Sequence, residues 1–566
     1  MAATSLTPAQ TRTQAVGFMA ECSLAGLRKS LPLKWPTPAH TPPSPKRRYR
    51  SAYAYRGWEE LEDLRAWETH SDFDGVLRLV DFSGLRPVLA QLLGWKSGRG
   101  WEPFDPLSFF LLTGWQITQR WSRAQTLANL RLPRYADYRM RFGFREGVYP
   151  TEGGMRYFLT TLGHNSEMDG QTVRVENGEQ TFTIAIQRLN QLLVQAVDLV
   201  RQAHLLSPQA WEAALVCPDG QLHDAASQMR CAAVGETCYQ PSHPQHPRPC
   251  LAKDKGQRGC DCDTLSCAQL CRYATPRDPQ ARFVWYTASN QPQSSPNRST
   301  TPREAQPTDG EGHYGYRSLP LRLADPLRRF SLTLLEDFQG ANRREEVYAA
   351  ALLRQLPTSY PDLHLDAVAG DAGLGFEVFL HTIYALQARR VVDRRRHDTD
   401  QDHSLWPVRG YDDHGRPVCP FGYAFLSNGF ERTRQRHKWV CAKACLQAQQ
   451  PLVPLPNTVY PPQECPYQDD QHPVGRIVNV TEHFPDGSIR LVRDVPMGTP
   501  AWKALYHRAR NAVEGRNATL EAWGFKRFSV FGLERTKALT FLADTWDTLT
   551  TLARLVRQAT LASQVT

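Results

Sequence analysis

The stretch Leu365-Asp366-Ala367-Val368-Ala369-Gly370-Asp371-Ala372-Gly373 decides the expected fold. It is a short apolar run that ends in an aspartate followed by small residues. A second run, Ala213-Ala214-Leu215-Val216-Cys217-Pro218-Asp219-Gly220, has the same form. Short apolar runs bounded by glycine or proline are typical of buried strands. We therefore expect Asp219 and Asp371 to stand at the ends of two strands.

Strands and helices alternate around these runs, between residues 213 and 398. Strand patterns cover 283–286, 329–335 and 390–393, and helical patterns cover 343–356 and 376–386. The strands come first, and a helix–strand–helix–strand order follows. This order predicts an α/β (α+β) fold with a mixed sheet and flanking helices.

Two segments precede this region. Residues 1–57 are rich in proline, serine and threonine, which indicates a flexible basic arm, either solvated or in contact with DNA. Residues 58–205 have helical patterns, with Arg139 and Arg141 assigned to outer faces. They are typical either of a helix-turn-helix-like DNA-binding domain or of a plain helical bundle.

Three further segments complete the predicted organisation. Residues 206–398 form the first part of the core and carry a cysteine-rich insertion at 231–310. Residues 399–500 contain strand patterns at 477–480 and 489–492 on either side of a Pro485-Asp486-Gly487 turn. This predicts a hairpin within a strand-rich insertion. Residues 501–566 have a helical pattern and complete the core.

Composition limits the classes of protein to consider. The 566 residues suggest several domains, and the net charge of +10 suits a polyanionic partner, although a merely soluble basic protein fits as well. We find neither an apolar run long enough for a membrane span nor a secretion signal, so we expect a cytoplasmic protein without a membrane partner. The 13 cysteines then indicate metal ligation or free thiols rather than a disulfide framework.

A third acidic residue, Glu514, lies in the uninterrupted helical pattern of residues 506–516. Two strand-end aspartates and a helix glutamate can converge on divalent metal ions, and Mg²⁺ prefers such oxygen ligands. Each acid also has an ordinary explanation: Asp219 as a turn former, Asp371 as a helix cap, and Glu514 as the i, i+4 partner of Arg510. The nearest rivals for the three positions are Asp224, Asp366 and Glu521.

Three blocks resemble the acidic blocks of DDE transposases from bacterial insertion sequences, in particular the group with a strand-rich insertion between the second aspartate and the glutamate. They are Val216-Cys217-Pro218-Asp219-Gly220, Gly370-Asp371-Ala372-Gly373 and Arg510-Asn511-Ala512-Val513-Glu514. The segment Trp523-Gly524-Phe525-Lys526-Arg527-Phe528 resembles the family's block after the glutamate. The sequence departs from the family at Glu521, where some relatives carry lysine.

The resemblance implies an RNase H-like core and an enzyme that cuts DNA at the ends of an insertion sequence and transfers them into target DNA. It implies that Asp219, Asp371 and Glu514 are catalytic and bind Mg²⁺ (or Mn²⁺), and that Arg510 contacts a phosphate. The implied partners are double-stranded DNA, as terminal repeats and target, and a second copy of the chain in a homodimer on DNA, at the bacterial nucleoid. A hydrolytic nuclease of the same fold and an inactive, transposase-derived DNA-binding protein stay open as alternatives.

Two other groups of residues are candidates for binding. We expect contacts to the DNA backbone at four basic residues, although such charges are often only solvated: Arg394, Arg395, Arg396 and Lys526. Tetrahedral zinc takes four nitrogen or sulfur ligands, so one cysteine group is a candidate structural zinc site, with free thiols as the alternative: Cys419, Cys441, Cys445 and Cys465. A weaker cysteine group runs from Cys231 to Cys271.

Overall fold

The structure is a computed structural model of the chain. It describes residues 31–37, 48–56, 71–95, 102–168, 171–226, 230–231, 274–275, 278, 280–286, 311–392, 408, 410–412, 416–431, 433, 436–446, 452–453, 465, 467, 474–481, 495 and 500–565.

Helices dominate the N-terminal part. Those between residues 72 and 168 are α1 (Asp72–Leu79), α2 (Leu85–Leu92), α3 (Pro106–Thr118), α4 (Arg123–Arg131), α5 (Ala136–Arg141) and α6 (Glu152–Met168). The Asp105 side chain accepts the Leu107 N–H at the start of α3, and the Thr151 hydroxyl accepts the Gly154 N–H at the start of α6. Both contacts satisfy N–H groups that the first turn of a helix leaves unpaired.

Two strand pairs also occur in this part. Strand β1 (Leu33–Lys34) runs parallel to β2 (Val80–Asp81), and β3 (Gln171–Asn177) forms an antiparallel hairpin with β4 (Gln180–Ile186). Gly178 lies in the hairpin turn with a φ of +60°. The expectation that residues 58–205 are helical therefore misses this hairpin. Helices α7 (Asn190–Gln202) and α8 (Pro208–Glu212) follow it.

The arginines assigned to outer helix faces are not exposed. Arg139 and Arg141 are each only 8% exposed. Arg139 donates to the Leu130 carbonyl, and Arg141 pairs with Asp137 at 2.8 Å. The expectation of outward-facing arginines is wrong at these two positions, because both guanidinium groups satisfy contacts within the helical region.

The next strands along the chain are β5 (Ala214–Pro218), β6 (Gln221–Asp224), β7 (Arg230–Cys231), β8 (Ala274–Thr275), β9 (Arg282–Tyr286), β10 (Glu311–Ala324), β11 (Ser331–Gly340), β12 (Leu365–Gly370) and β13 (Arg389–Val392). Strands β7 and β8 pair with each other, and the rest form one seven-stranded sheet. Its main order is β11-β10-β5-β12-β13, and β6 and β9 both pair with β10.

This central sheet is mixed. Strand β10 is antiparallel to β5 and β11, whereas β12 is parallel to β5 and β13. Helix α9 (Glu345–Ser359) leads from β11 toward β12, and α10 (Glu377–Ala385) leads from β12 to β13. The predicted class, a mixed sheet with helices in the α/β manner, is confirmed.

Short strands make up the described part of residues 399–500. They are β14 (Gly410–Tyr411), β15 (Pro417–Val418), β16 (Leu426–Glu431), β17 (Arg436–Val440) and β18 (Ile477–Thr481). Strand β17 pairs with both β16 and β18. The predicted strand at 477–480 is thus present, while its predicted hairpin partner at 489–492 lies outside the described residues.

Two long helices follow, α11 (Pro500–Ala522) and α12 (Leu533–Val565). The Trp546 ring of α12 lies 5.0 Å from the Phe73 ring and 5.3 Å from the Phe110 ring, measured between centroids. Helix α12 therefore shares a hydrophobic core with the N-terminal helices. Over the stretches that the structure describes, none of the helices has the length and apolar character needed to cross a membrane.

Candidate active site at the ends of β5 and β12

The two predicted strand-end aspartates follow neighbouring parallel strands. Ala214 stands opposite Leu365, and Val216 stands opposite Val368, so β5 and β12 run side by side. Asp219 is the first residue after β5, and Asp371 is the first after β12. Because the carboxyl ends of parallel strands meet at the same edge of a sheet, the fold brings these aspartates to one edge.

Asp371 also has a local structural role. Its Oδ1 accepts the N–H of Leu374 at 3.1 Å and caps a 3₁₀ turn over Ala372–Leu374. The helix-cap explanation of Asp371 is therefore correct as a description of this contact. It leaves the other oxygen of the carboxylate available to a ligand, because a cap of this kind uses one acceptor.

Helix α11 packs across the sheet and carries the other two predicted residues. The Arg510 Nη1 lies 2.9 Å from the Asp219 Oδ2, and the Arg510 Nη2 lies 3.9 Å from the Glu514 Oε1. The Glu514 side chain is 63% exposed, whereas the Asp219 side chain is only 13% exposed. Arg510 thus links the buried strand-end acid to the exposed helix acid.

The electrostatics of Asp219 follow from its surroundings. Burial is the main effect, and together with the charges of Asp371 and Glu345 it raises the pKa of Asp219 to about 7, although Arg510 lowers it. Burial lowers the pKa of Arg510, but the charges of Asp219 and Asp371 outweigh this and raise it. The guanidinium therefore stays charged while the carboxyl beside it titrates near neutral pH.

A fourth acidic residue at this site was not predicted from the sequence. Glu345 begins α9, and a Cβ built on Gly220 would lie 2.7 Å from the Glu345 Oε1. Glu345 forms an ion pair with Arg317, and burial and the charge of Asp371 raise the pKa of Glu345 despite this pair. In sequence it resembles an ordinary acid in the first turn of a helix, so no local signal distinguishes it.

A buried ion cluster, also missed from the sequence, lies behind the site. Arg516 in α11 donates to Asp544 of α12 at 2.9 and 2.5 Å and to Glu336 of β11 at 2.9 Å. Its Nη1 donates to Gln221 at 2.6 Å and to Ser318 at 3.1 Å. These partners come from four other elements of the fold, β6, β10, β11 and α12. The cluster fixes the helix that carries Arg510 and Glu514 against the sheet.

The rival acids lie in other surroundings. Asp224 accepts a hydrogen bond from His313 at 3.0 Å, Asp366 pairs with Arg389, and Glu521 is exposed near the end of α11. Lys526 is exposed beside β6, where its carbonyl accepts the Asp224 N–H. The predicted DNA-binding residues Arg394, Arg395 and Arg396 lie outside the described part of the chain.

One of the two predicted cysteine groups lies within the described part of the chain, and the other lies almost entirely outside it. Cys419, Cys441, Cys445 and Cys465 line one small cavity together with Arg476. The group from Cys231 to Cys271 lies, apart from the backbone of Cys231 in β7, outside the described residues.

The chemical type of the donors at the strand ends, carboxylate oxygen, suits a divalent cation. Carboxylates are the ligands that Mg²⁺ takes from proteins, and the acids around Arg510 outnumber the cations beside them. In the arrangement seen here, no group of three His, Cys, Asp or Glu side chains among the described residues could hold a metal ion. The Glu514 side chain is exposed and pairs with Arg510 at 3.9 Å.

A comparison with protein-family models finds no match to this chain, and a comparison with curated proteins finds no similar sequence.

Proposed function

We propose that this protein is a DDE transposase with an RNase H-like core, which cleaves DNA at insertion-sequence ends in a metal-dependent reaction and transfers the strand into target DNA. One observation carries the proposal. Asp219 and Asp371 follow adjacent parallel strands, and α11 brings Arg510 to 2.9 Å from Asp219 with Glu514 one turn further on. The resemblance of the same three blocks to the transposase family supports it.

Three acidic residues would bind the metal ions, and one arginine would contact the DNA. Asp219 and Asp371 would hold Mg²⁺ (or Mn²⁺), and Glu514 would complete the ligand set from the helix. When bound, two such ions activate the attacking oxygen and stabilise the leaving one. Arg510 is charged, and its forked donors match a phosphate of the DNA backbone.

Binding of a polyanion also agrees with the chain's charge. The net charge of +10 favours association with double-stranded DNA, the proposed partner as both terminal repeat and target. Because two ends of an element must be cut and joined, we propose a homodimer in the DNA complex.

A cleavage and joining assay tests the proposal. The purified chain is incubated with labelled DNA that carries the flanking element ends and with a target duplex, in Mg²⁺ or in EDTA. We expect nicking and a joined product in Mg²⁺ only. Asp219→Ala, Asp371→Ala and Glu514→Ala should each lose both products but still bind the ends. Glu521→Ala, on the exposed face of the same helix, is the matched control and should retain both products.

The other outcomes discriminate the alternatives. Nicking without joining would point to a hydrolytic nuclease of the same fold. Binding without nicking would point to an inactive, transposase-derived DNA-binding protein. Unchanged cleavage by all three alanine variants would falsify the assignment of the site.

A further inference from the structure

Four cysteines of the strand-rich insertion come together from separate segments. Cys419 follows β15, Cys441 follows β17, Cys445 comes one turn later, and Cys465 lies on the way to β18. Together they line a cavity of about 20 Å³. This volume admits one atom-sized guest, whereas pockets for organic ligands are many times larger. None of these four cysteines is in a disulfide.

The first sulfur lies inside a tight turn of backbone. The Tyr423 N–H donates to the Cys419 Sγ at 3.3 Å, and the Phe421 N–H is a second donor to the same sulfur. The turn is closed by the Cys419 N–H, which donates to the Tyr423 carbonyl at 2.8 Å, and Gly422 has a φ of +90°. Both N–H groups point at the sulfur and fix its position at the wall of the cavity.

The second sulfur has the same surroundings. The backbone N–H groups of Lys443 and Ala444 donate to Cys441, and Lys443 has a φ of +53°, in the left-handed region. A side chain other than glycine persists there only when the surrounding structure holds it. Gly475 packs directly against this cysteine, since an added Cβ would lie 2.9 Å from the Cys441 Sγ.

Among the described residues of this segment, few apolar side chains are buried together. Over its described residues, the hydrophobic cluster has five buried members: Val408, Cys419, Phe425, Trp439 and Val478. Small units with so little apolar burial usually need a disulfide or a structural metal. The four cysteines occupy the place where such a cross-link would join β15, β17 and the chain before β18.

We propose that Cys419, Cys441, Cys445 and Cys465 bind one structural zinc ion that holds the insertion together. Four thiolates select soft cations over Mg²⁺, and zinc takes four such ligands in a tetrahedron. In the arrangement seen here, no three of these four cysteines are grouped to hold a metal ion, so zinc binding requires the half-buried Cys445 and Cys465 side chains to turn toward the cavity. This inference is independent of the DNA chemistry, because it concerns the stability of one segment.

The metal content of the full-length chain, purified without chelator, tests the proposal by elemental analysis. Because cysteines between 231 and 271 could bring metal of their own, the readout is a difference between variants. Cys441→Ser should contain one zinc ion per chain fewer than the unsubstituted protein. Cys217→Ser changes a buried cysteine outside the cluster and should retain the full zinc content.

A second variant separates the loss of a zinc ligand from a failure of the protein to fold. Cys465→His supplies another zinc ligand and should keep its zinc, whereas its cobalt-substituted form should lose part of the thiolate-to-cobalt absorption. Equal zinc content in Cys441→Ser, unchanged cobalt absorption in Cys465→His, or iron in place of zinc would overturn the proposal. So would a thiol titration of the denatured protein that shows disulfides among these four residues. None of the three readouts involves DNA, so failure here is distinct from failure of the transposase proposal.

Discussion

Replacement of the buried Arg516 by methionine should destabilise the fold far more than the same change at the surface. The side chains of Arg516, Asp544 and Glu336 are all fully buried. Burial and the charge of Asp544 raise the pKa of Glu336 well above its usual value, whereas Arg516 lowers the pKa of Asp544 despite burial. Glu336 therefore stays neutral and Asp544 charged, so Arg516 is the direct partner of a buried negative charge.

The magnitude follows from what the substitution leaves behind. Arg516→Met removes the cation and its hydrogen bonds to Asp544, which remains in a site without water contact. Breaking a buried pair by removing one partner costs about 3–5 kcal/mol in free energy of unfolding. The double variant Arg516→Met/Asp544→Asn removes the stranded charge as well and should recover part of this loss, with a coupling energy of about 0.5–3 kcal/mol.

Urea unfolding followed by tryptophan fluorescence measures these differences. The matched control is Arg389→Met, because the pair of Arg389 with Asp366 has side chains that are 46% and 35% exposed. Surface pairs contribute roughly 0–1 kcal/mol, so the control should unfold close to the unsubstituted protein. The reasoning is refuted if Arg516→Met and Arg389→Met unfold at the same urea concentration, or if the two losses in the double variant simply add.

Three further predictions concern single positions. Asp219→Asn should stabilise the metal-free protein at pH 8. Because folding raises the pKa of the Asp219 carboxyl to about 7, the free energy of unfolding falls as the pH rises from about 4 through 7, on the order of 4 kcal/mol. Urea midpoints of both proteins at pH 5 and pH 8 measure this difference. Glu345→Gln removes a charge that raises the pKa of Asp219, so the titration midpoint of Asp219 in the metal-free protein, followed by NMR, should move to lower pH; an unmoved midpoint would contradict it. Gly114→Ala places a Cβ 1.9 Å from Trp546 and should cost about 1–3 kcal/mol or more, whereas Gly515→Ala meets nothing within 4 Å and should stabilise its helix by about 0.5–1 kcal/mol, both read from thermal unfolding.

The sequence predicted the centre of the fold because its signals there are local. The runs that become β5 and β12 are apolar, short and bounded by proline or glycine, so their type and their ends are legible. The hairpin β3–β4 has a local signal too, since Asn177-Gly178 lies between alternating residues and favours such a turn.

Other features depend on contacts that no local pattern shows. Arg516 belongs to a helix with several arginines, and only its buried position distinguishes it, with a partner 180 residues away in Glu336. Arg139 and Arg141 differ in the opposite direction. An amphipathic helix pattern predicts that they face solvent, but the fold buries them. Glu345 is an ordinary helix-start acid until α9 is placed beside the strand ends.

The position of the helix acid follows from the packing stripe of α11. Ala509, Val513, Arg516 and Leu520 are all almost fully buried, at the spacing of one helix face. Arg510 and Glu514 each come one residue after a member of this stripe, so they project from its border rather than from the core. At that border the carboxyl ends of β5 and β12 meet solvent, which lets Arg510 reach Asp219 while Glu514 stays exposed. A helix shifted by one residue would bury Arg510 and Glu514 or turn them away, so the core contacts of α11 set the geometry of the site.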